Sequence, residues 1–212
     1  MKKFDSTLYF ITDSTGLDED IFLAKVEAAL QGGATLLQLR EKDRSTREYL
    51  TLAEKVHALA QKYDVPLIID DRIDVAMAVH AEGVHLGQSD MPIKTARALV
   101  GNDMIIGATT KTVPQALEAE EGGANYLGVG AIYPTTTHVK TVITPVSVLD
   151  DICAAVKIPV NAIGGLNADN TDVLEHSDIS GICVVSAIMK AEDPTEAAKT
   201  LLVKAKQLRK RV

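Results

Sequence analysis

Residues 28–43 read AALQGGATLLQLREKD. The stretch starts as the apolar end of a helix, stops at Gly32 and Gly33, and resumes as an extended apolar run before closing on alternating charges. Glycine just past a helix end supplies the left-handed backbone that terminates it, so the order is helix, stop, strand, charged exit. Residues 118–129, EAEEGGANYLGV, repeat the same order, with Gly-Gly-Ala again between helix and strand. A duplicated half-barrel and independent use of glycine at two helix ends both account for the match.

Outward from this unit the pattern continues in both directions. Short apolar, often β-branched, runs occur at LYFIT (8–12), TLLQLR (35–40), PLIID (66–70), GVHLG (83–87), MIIGAT (104–109), YLGVGAI (126–132), IPVNAIGG (158–165) and GICVVSAI (181–188). Stretches with helical spacing lie between them, as at 18–33, 47–63 and 113–123. Strand followed by helix, repeated, predicts an α/β protein with parallel strands. Eight repeats favour a single (β/α)8 TIM barrel, one domain over residues 1–212, above a doubly wound sheet, which usually has fewer strands and a glycine-rich first turn. The Gly-Gly-Ala units precede the second and sixth strands. In such barrels the chemistry sits at the C-terminal ends of the strands.

Composition narrows the function classes. The 212 residues are 46% hydrophobic, enough for one substantial core. A formal net charge of −7 opposes any general attraction to nucleic acid or anionic lipid, so neither nucleic acid nor membrane is expected as a partner. Cys153 and Cys183 stand outside any metal or redox spacing and are expected to be reduced and structural. The apolar stretch between Asp5 and Asp13 is too short for a secretory signal, and no run reaches transmembrane length, which points to the cytoplasm.

Side chains alternate along a strand, so Leu36, Gln38, Arg40 and Lys42 share one face of the second strand. With Leu36 in the barrel interior, the other three climb into the mouth, where a polyanion neutralises them. The competing reading is a strand running into a solvated loop, with Glu41 and Asp43 as partners of these charges. The third strand ends in Asp70 and Asp71, and Asp90 follows the fourth. Carboxylates from adjacent strand ends are hard oxygen ligands that suit Mg2+ together with substrate phosphate. Pairing of Asp71 with Arg72 or Arg40, and helix capping by Asp90, is the alternative.

Threonines follow the fifth and sixth strands, and Thr135, Thr136 and Thr137 are either turn residues or donors to phosphate oxygens. Gly165 and Ser186, after the seventh and eighth strands, stand where barrels often bind phosphate. His85, inside a strand, is assigned no chemistry; His57 and His176, on helical stretches, are read as solvated. Nothing resembles a Ser-His-Asp set.

Taken in order, QLREK (38–42), DDRIDVAMAVHAEGVHLGQSDMP (70–92), YLGVGAIYPTTT (126–137), NAIGGL (161–166) and GICVVSAI (181–188) resemble the thiamine phosphate synthase family across nearly the whole chain. The resemblance implies a barrel transferase that joins hydroxymethylpyrimidine diphosphate to a carboxylated thiazole phosphate, giving thiamine monophosphate, diphosphate and CO2. It implies that Gln38, Arg40 and Lys42 hold the pyrimidine diphosphate, with Arg40 and Lys42 as the catalytic cations, and that Asp71 and Asp90 bind Mg2+. Thr109 would touch the diphosphate, Thr135 and Thr137 the thiazole phosphate, and Gly165, Val185 and Ser186 its phosphate. Glu41, Asp70, Thr136 and His138 complete the candidate substrate-binding set.

Three positions depart from the family pattern: Asp70 stands for Asn, Thr109 commonly for Ser, and His138 for Lys. Asp70 adds negative charge beside a diphosphate, and a neutral His138 removes a cation that Lys111 or Lys140 could supply. Two alternatives remain at this stage. One is a thiazole tautomerase-like isomerase, for which resemblance implies a histidine where Lys111 stands; the other is an inactive phosphate-ligand-binding barrel.

Overall fold

The computed structural model describes residues 4–135 and 142–210. Eight parallel strands close into a barrel in sequence order: β1 (Leu8–Ile11), β2 (Leu36–Leu39), β3 (Leu67–Asp70), β4 (Gly83–Leu86), β5 (Ile105–Thr110), β6 (Tyr126–Val129), β7 (Val160–Ile163) and β8 (Gly181–Val184). The ring closes where β1 pairs with β8, Tyr9 opposite Cys183. The expected (β/α)8 barrel is therefore the observed fold; seven strands fall within their apolar runs, and β5 extends one residue past its run, to Thr110.

Helices α1 (Glu19–Gln31), α2 (Thr46–Lys62), α3 (Ile73–Ala78), α4 (Ile93–Val100), α5 (Val113–Glu121) and α6 (Val146–Ala155) follow the first six strands. The chain after β8 forms a short α7 (Ser186–Met189) and a long α8 (Pro194–Leu208). The seventh connection instead holds a 3-10 turn, Thr171–Leu174. Its polar side chains take up local backbone groups: Asn170 Nδ2 donates to the Gly165 carbonyl at 2.9 Å, and the Asn167 and Asp169 amides bond Asn170 Oδ1 and Asn167 Oδ1. Asn and Asp that satisfy nearby backbone in this way compete with helix formation. None of the helices among the described residues is long and apolar enough to cross a membrane.

The helix ends explain the repeated Gly-Gly-Ala. Gly33 and Gly123 both adopt φ 97°, and Ala34 and Ala124 donate their amides back to Ala29 and Ala119 at 3.2 and 2.9 Å. These are twin Schellman closures, in which glycine avoids the Cβ penalty of positive φ. Helix-end stereochemistry alone thus accounts for the match at 32–34 and 122–124.

Alternation sorts the strand residues into two layers. Leu8, Phe10, Leu37, Leu39, Leu67 and Ile69 face the helices and join the large core, whereas Tyr9, Ile11, Leu36, Ile68, Ile105, Tyr126 and Cys183 form a separate cluster inside the ring. Helix α2 shows how a helix joins the outer layer. Ser45 and Glu48 form a reciprocal capping box, and Tyr49, Leu52, Ala53, Val56, His57 and Ala60 bury one face at helical spacing. His57 is accordingly not solvated as expected: it is buried, with Nδ1 3.1 Å from the Val79 carbonyl and Nε2 3.3 Å from Glu82 Oε1. His176 is exposed. Cys153 and Cys183 are both buried and form no disulfide.

Candidate active site

A cavity of about 300 Å3 opens at the C-terminal ends of the strands. One wall is the predicted face of β2. Leu36 lies in the interior cluster, and Gln38, Arg40 and Lys42 follow above it into the cavity. The reading in which these residues run out into a solvated loop is thereby replaced. Glu41, one residue off this alternation, does not line the cavity; its Oε2 accepts from Ser14 Oγ and Arg44 Nε, both at 2.8 Å.

The cations of β2 meet the carboxylates of β3. Lys42 Nζ lies 2.8 Å from Asp70 Oδ2 and also contacts Asp71, while Arg40 Nε is 3.8 Å from Asp70 Oδ2. Burial opposes the Lys42 charge, but Asp70 and Asp71 outweigh it and hold the ammonium above its ordinary pKa. Burial and the Asp71 charge push Asp70 up despite Lys42 and Arg40. Arg72 takes no part, because it pairs with Asp74.

Asp71 sits at φ 58° where the chain turns off β3, and its amide donates to the His85 carbonyl at 2.9 Å. Left-handed backbone is uncommon outside glycine, though Asp tolerates it better than most residues. Across the rim, Asp90 accepts from the Gly87 amide at 2.6 Å, tying the loop after β4 to itself rather than capping α4, whose N-cap is Pro92. Burial raises the Asp90 pKa, the Gly87 amide opposes this, and the neighbouring Asp71 carboxyl, close enough to hydrogen-bond, raises it further. Two carboxyls this close are a donor set that suits a hard divalent cation. Among the described residues no group of three or more His, Cys, Asp or Glu could hold a metal, so any ion here would need ligands from substrate or water.

The opposite wall comes from the later strands. Thr109 and Lys111, Thr135, Gly165, Val185 and Ser186 all line the same cavity. Gly165 has φ 65°, and a Cβ there would lie 2.7 Å from Tyr133 Cβ, so glycine alone permits this approach. Thr136, Thr137 and His138 lie outside the described residues, as does Lys140.

The floor was not anticipated. Gln38 Nε2 lies 2.5 Å from Tyr9 Oη, Tyr9 Oη 2.6 Å from Tyr126 Oη, Tyr126 Oη 3.0 Å from His85 Nδ1, and His85 Nε2 2.8 Å from Thr109 Oγ1. Burial lowers the His85 pKa to about 4 and pushes both phenols well above 10. His85, set aside on sequence grounds, lines the cavity.

Residues 8–188 match the family model described as thiamine monophosphate synthase. The chain belongs to the thiamine monophosphate synthase family. It is 46% identical over 202 residues to a thiamine-phosphate synthase of Methanobrevibacter smithii, covering 95% of this chain and 96% of that one. It is 48% identical over 197 residues to the thiamine-phosphate synthase 2 of Streptococcus pneumoniae, covering 93% and 94%. Among solved structures, the thiamine phosphate pyrophosphorylase of Pyrococcus furiosus superposes with a TM-score of 0.86 at 41% identity, covering 95% and 96%. In this member of the thiamine monophosphate synthase family, Asp70 lines the cavity against both Arg40 and Lys42.

Proposed function

We propose that this cavity is where the protein makes thiamine monophosphate, by transferring a pyrimidinylmethyl group from its diphosphate to the nitrogen of a thiazole phosphate. Family membership carries the reaction class, and the chain is a transferase of thiamine biosynthesis. The observation that best supports the placement is the convergence of Gln38, Arg40 and Lys42 with Asp71, Asp90, Gly165, Val185 and Ser186 on one cavity of about 300 Å3. One cationic wall and one glycine-lined wall suit two phosphorylated substrates.

On this reading Arg40 and Lys42 bind the diphosphate and stabilise the charge that grows on it as the carbon–oxygen bond breaks. The pyrimidinylmethyl carbon, left electron-poor, is captured by the thiazole nitrogen, and a carboxylated thiazole then loses CO2. Such a reaction needs positioning and electrostatics rather than a protein nucleophile. Asp71 and Asp90 would hold Mg2+, which when bound would neutralise diphosphate oxygens. Lys111 occupies the position at which a tautomerase-like enzyme would need histidine, and it supplies a cation beside Thr109 in place of a base.

Thiamine monophosphate formation from the two substrates tests the assignment directly, and no product would overturn it. Asp90→Ala or Asp71→Ala is expected to raise the Mg2+ concentration needed for half-maximal rate about tenfold, since the ion loses one of two protein carboxylates. Full activity in excess chelator would refute the metal.

Asp70 allows a second expectation. The diphosphate has to draw Lys42 and Arg40 away from a carboxylate that already neutralises them. Asp70→Asn is therefore expected to lower the KM for the diphosphate about fivefold, of order 1 kcal/mol, a modest figure because Lys42 is partly solvated. A higher KM would mean that Asp70 instead holds the cations in their binding positions.

A further inference from the structure

We propose that Gln38, Tyr9, Tyr126 and His85 form one directed hydrogen-bond relay under the cavity, which fixes His85 as its Nε2–H tautomer and turns the Thr109 hydroxyl proton toward the substrate. Tyr126 and His85 are then positioning residues, acting through Thr109.

The direction follows from counting protons. Gln38 is buried on β2, and its amide nitrogen can only donate, so Tyr9 Oη accepts there at 2.5 Å. The single phenolic proton of Tyr9 goes to its other neighbour, Tyr126 Oη, at 2.6 Å. Tyr126, already an acceptor, sends its proton to His85 Nδ1 at 3.0 Å. A neutral imidazole that accepts at Nδ1 carries its proton on Nε2, and Nε2 lies 2.8 Å from Thr109 Oγ1. Thr109 Oγ1 accepts from the ring, which leaves its own proton for the cavity that it lines.

One other arrangement also spends both phenolic protons within this chain of contacts. If the Gln38 amide were turned over, its oxygen would accept from Tyr9, every bond would reverse, and Thr109 would spend its proton on His85 Nε2. Thr109 would then meet an anionic substrate with lone pairs alone. An anion-binding site requires the first arrangement, in which the hydroxyl donates. Burial raises both phenols above their ordinary pKa, so each keeps the proton that the relay passes on. The choice of direction and the identity of the anion, the diphosphate, rest on the reading given under Proposed function; the tautomer itself is read without substrate.

Nitrogen-15 resonances of histidine distinguish the two tautomers in the ligand-free protein. His85 is expected to show a protonated Nε2 and an unprotonated Nδ1, and the opposite pattern would overturn the relay. Tyr126→Phe keeps the ring and removes the donor to Nδ1, so a mixture of tautomers is expected; an unchanged pure Nε2–H signal would also overturn it. Kinetically, Tyr126→Phe is expected to lower kcat/KM about tenfold in the wild-type background and to have almost no effect in Thr109→Val, because both changes remove the same donor. Additive losses would mean that Tyr126 serves packing only. The tautomer is read without substrate, so a protein that formed no thiamine monophosphate would refute the proposed function while leaving the relay decided.

Discussion

Arg40→Ala is expected to slow turnover about a hundredfold in a protein that stays folded. Arg40 leaves β2 on the inward face, its amide anchored to Thr12 Oγ1 at 3.2 Å, and its side chain is only 15% exposed. Among the described residues its charged contact is to Asp70, at 3.8 Å, long and through a single nitrogen, so most of the guanidinium donors there remain to be engaged by a ligand. Removing one preorganised donor from a leaving group in a partly dehydrated site costs on the order of 3 kcal/mol in the transition state, which is the hundredfold quoted. Arg40→Lys keeps the charge but not the planar fork, and belongs between the two. Single-turnover rates measure the effect; a folded Arg40→Ala enzyme with near wild-type turnover would remove Arg40 from the chemistry.

A large loss of stability is expected from Gly107→Ala. Gly107 faces inward on β5, and a Cβ there would lie 2.1 Å from Tyr126 Cζ, 2.3 Å from Tyr126 Oη and 2.5 Å from His85 Nδ1. None of these atoms can yield cheaply, since Tyr126 is fully buried and both side chains are hydrogen-bonded. Overpacking a core typically costs 1–3 kcal/mol, and parting Tyr126 from His85 leaves two buried polar groups unpaired at about 1 kcal/mol or more each. A total of about 3 kcal/mol or more corresponds to a midpoint lowered by about 10 °C in a chain of this size. Thermal unfolding followed by circular dichroism reads it; a shift of less than about 3 °C would show that the floor can rearrange around a methyl group.

The barrel was legible because each strand is a short apolar run bracketed by helical spacing, and the register of β2 because Leu36, Gln38, Arg40 and Lys42 obey a two-residue period. The same period already placed Glu41 on the other face, against Ser14 and Arg44. What escaped notice depended on residues far apart in the chain. His85 gains its meaning from Tyr126 and Thr109, 41 and 24 positions away, and a histidine in one strand does not declare such partners. An inward tyrosine on β1 and another on β6, with glycine at 107 to make room, was the available signal. His57 misled because a histidine on an amphipathic helix reads as polar face, whereas here it completes the buried stripe of α2 through Val79 and Glu82. In the seventh connection the side chains of Asn167 and Asn170 hold the backbone in turns, where the strand–helix pattern leads one to expect a helix.

The polar floor also bears on whether this barrel could ever be divided. Its first four strands own Gln38, Tyr9 and His85, and its last four own Tyr126 and Thr109. Of the four bonds that join these groups, three run from one half to the other. A half made alone would carry phenol, imidazole or hydroxyl groups directed at partners it does not possess, each costly to bury. The matching Gly-Gly-Ala turns therefore do not mark two separable modules: the pieces are interdependent at their centre, and neither inherits a finished interior.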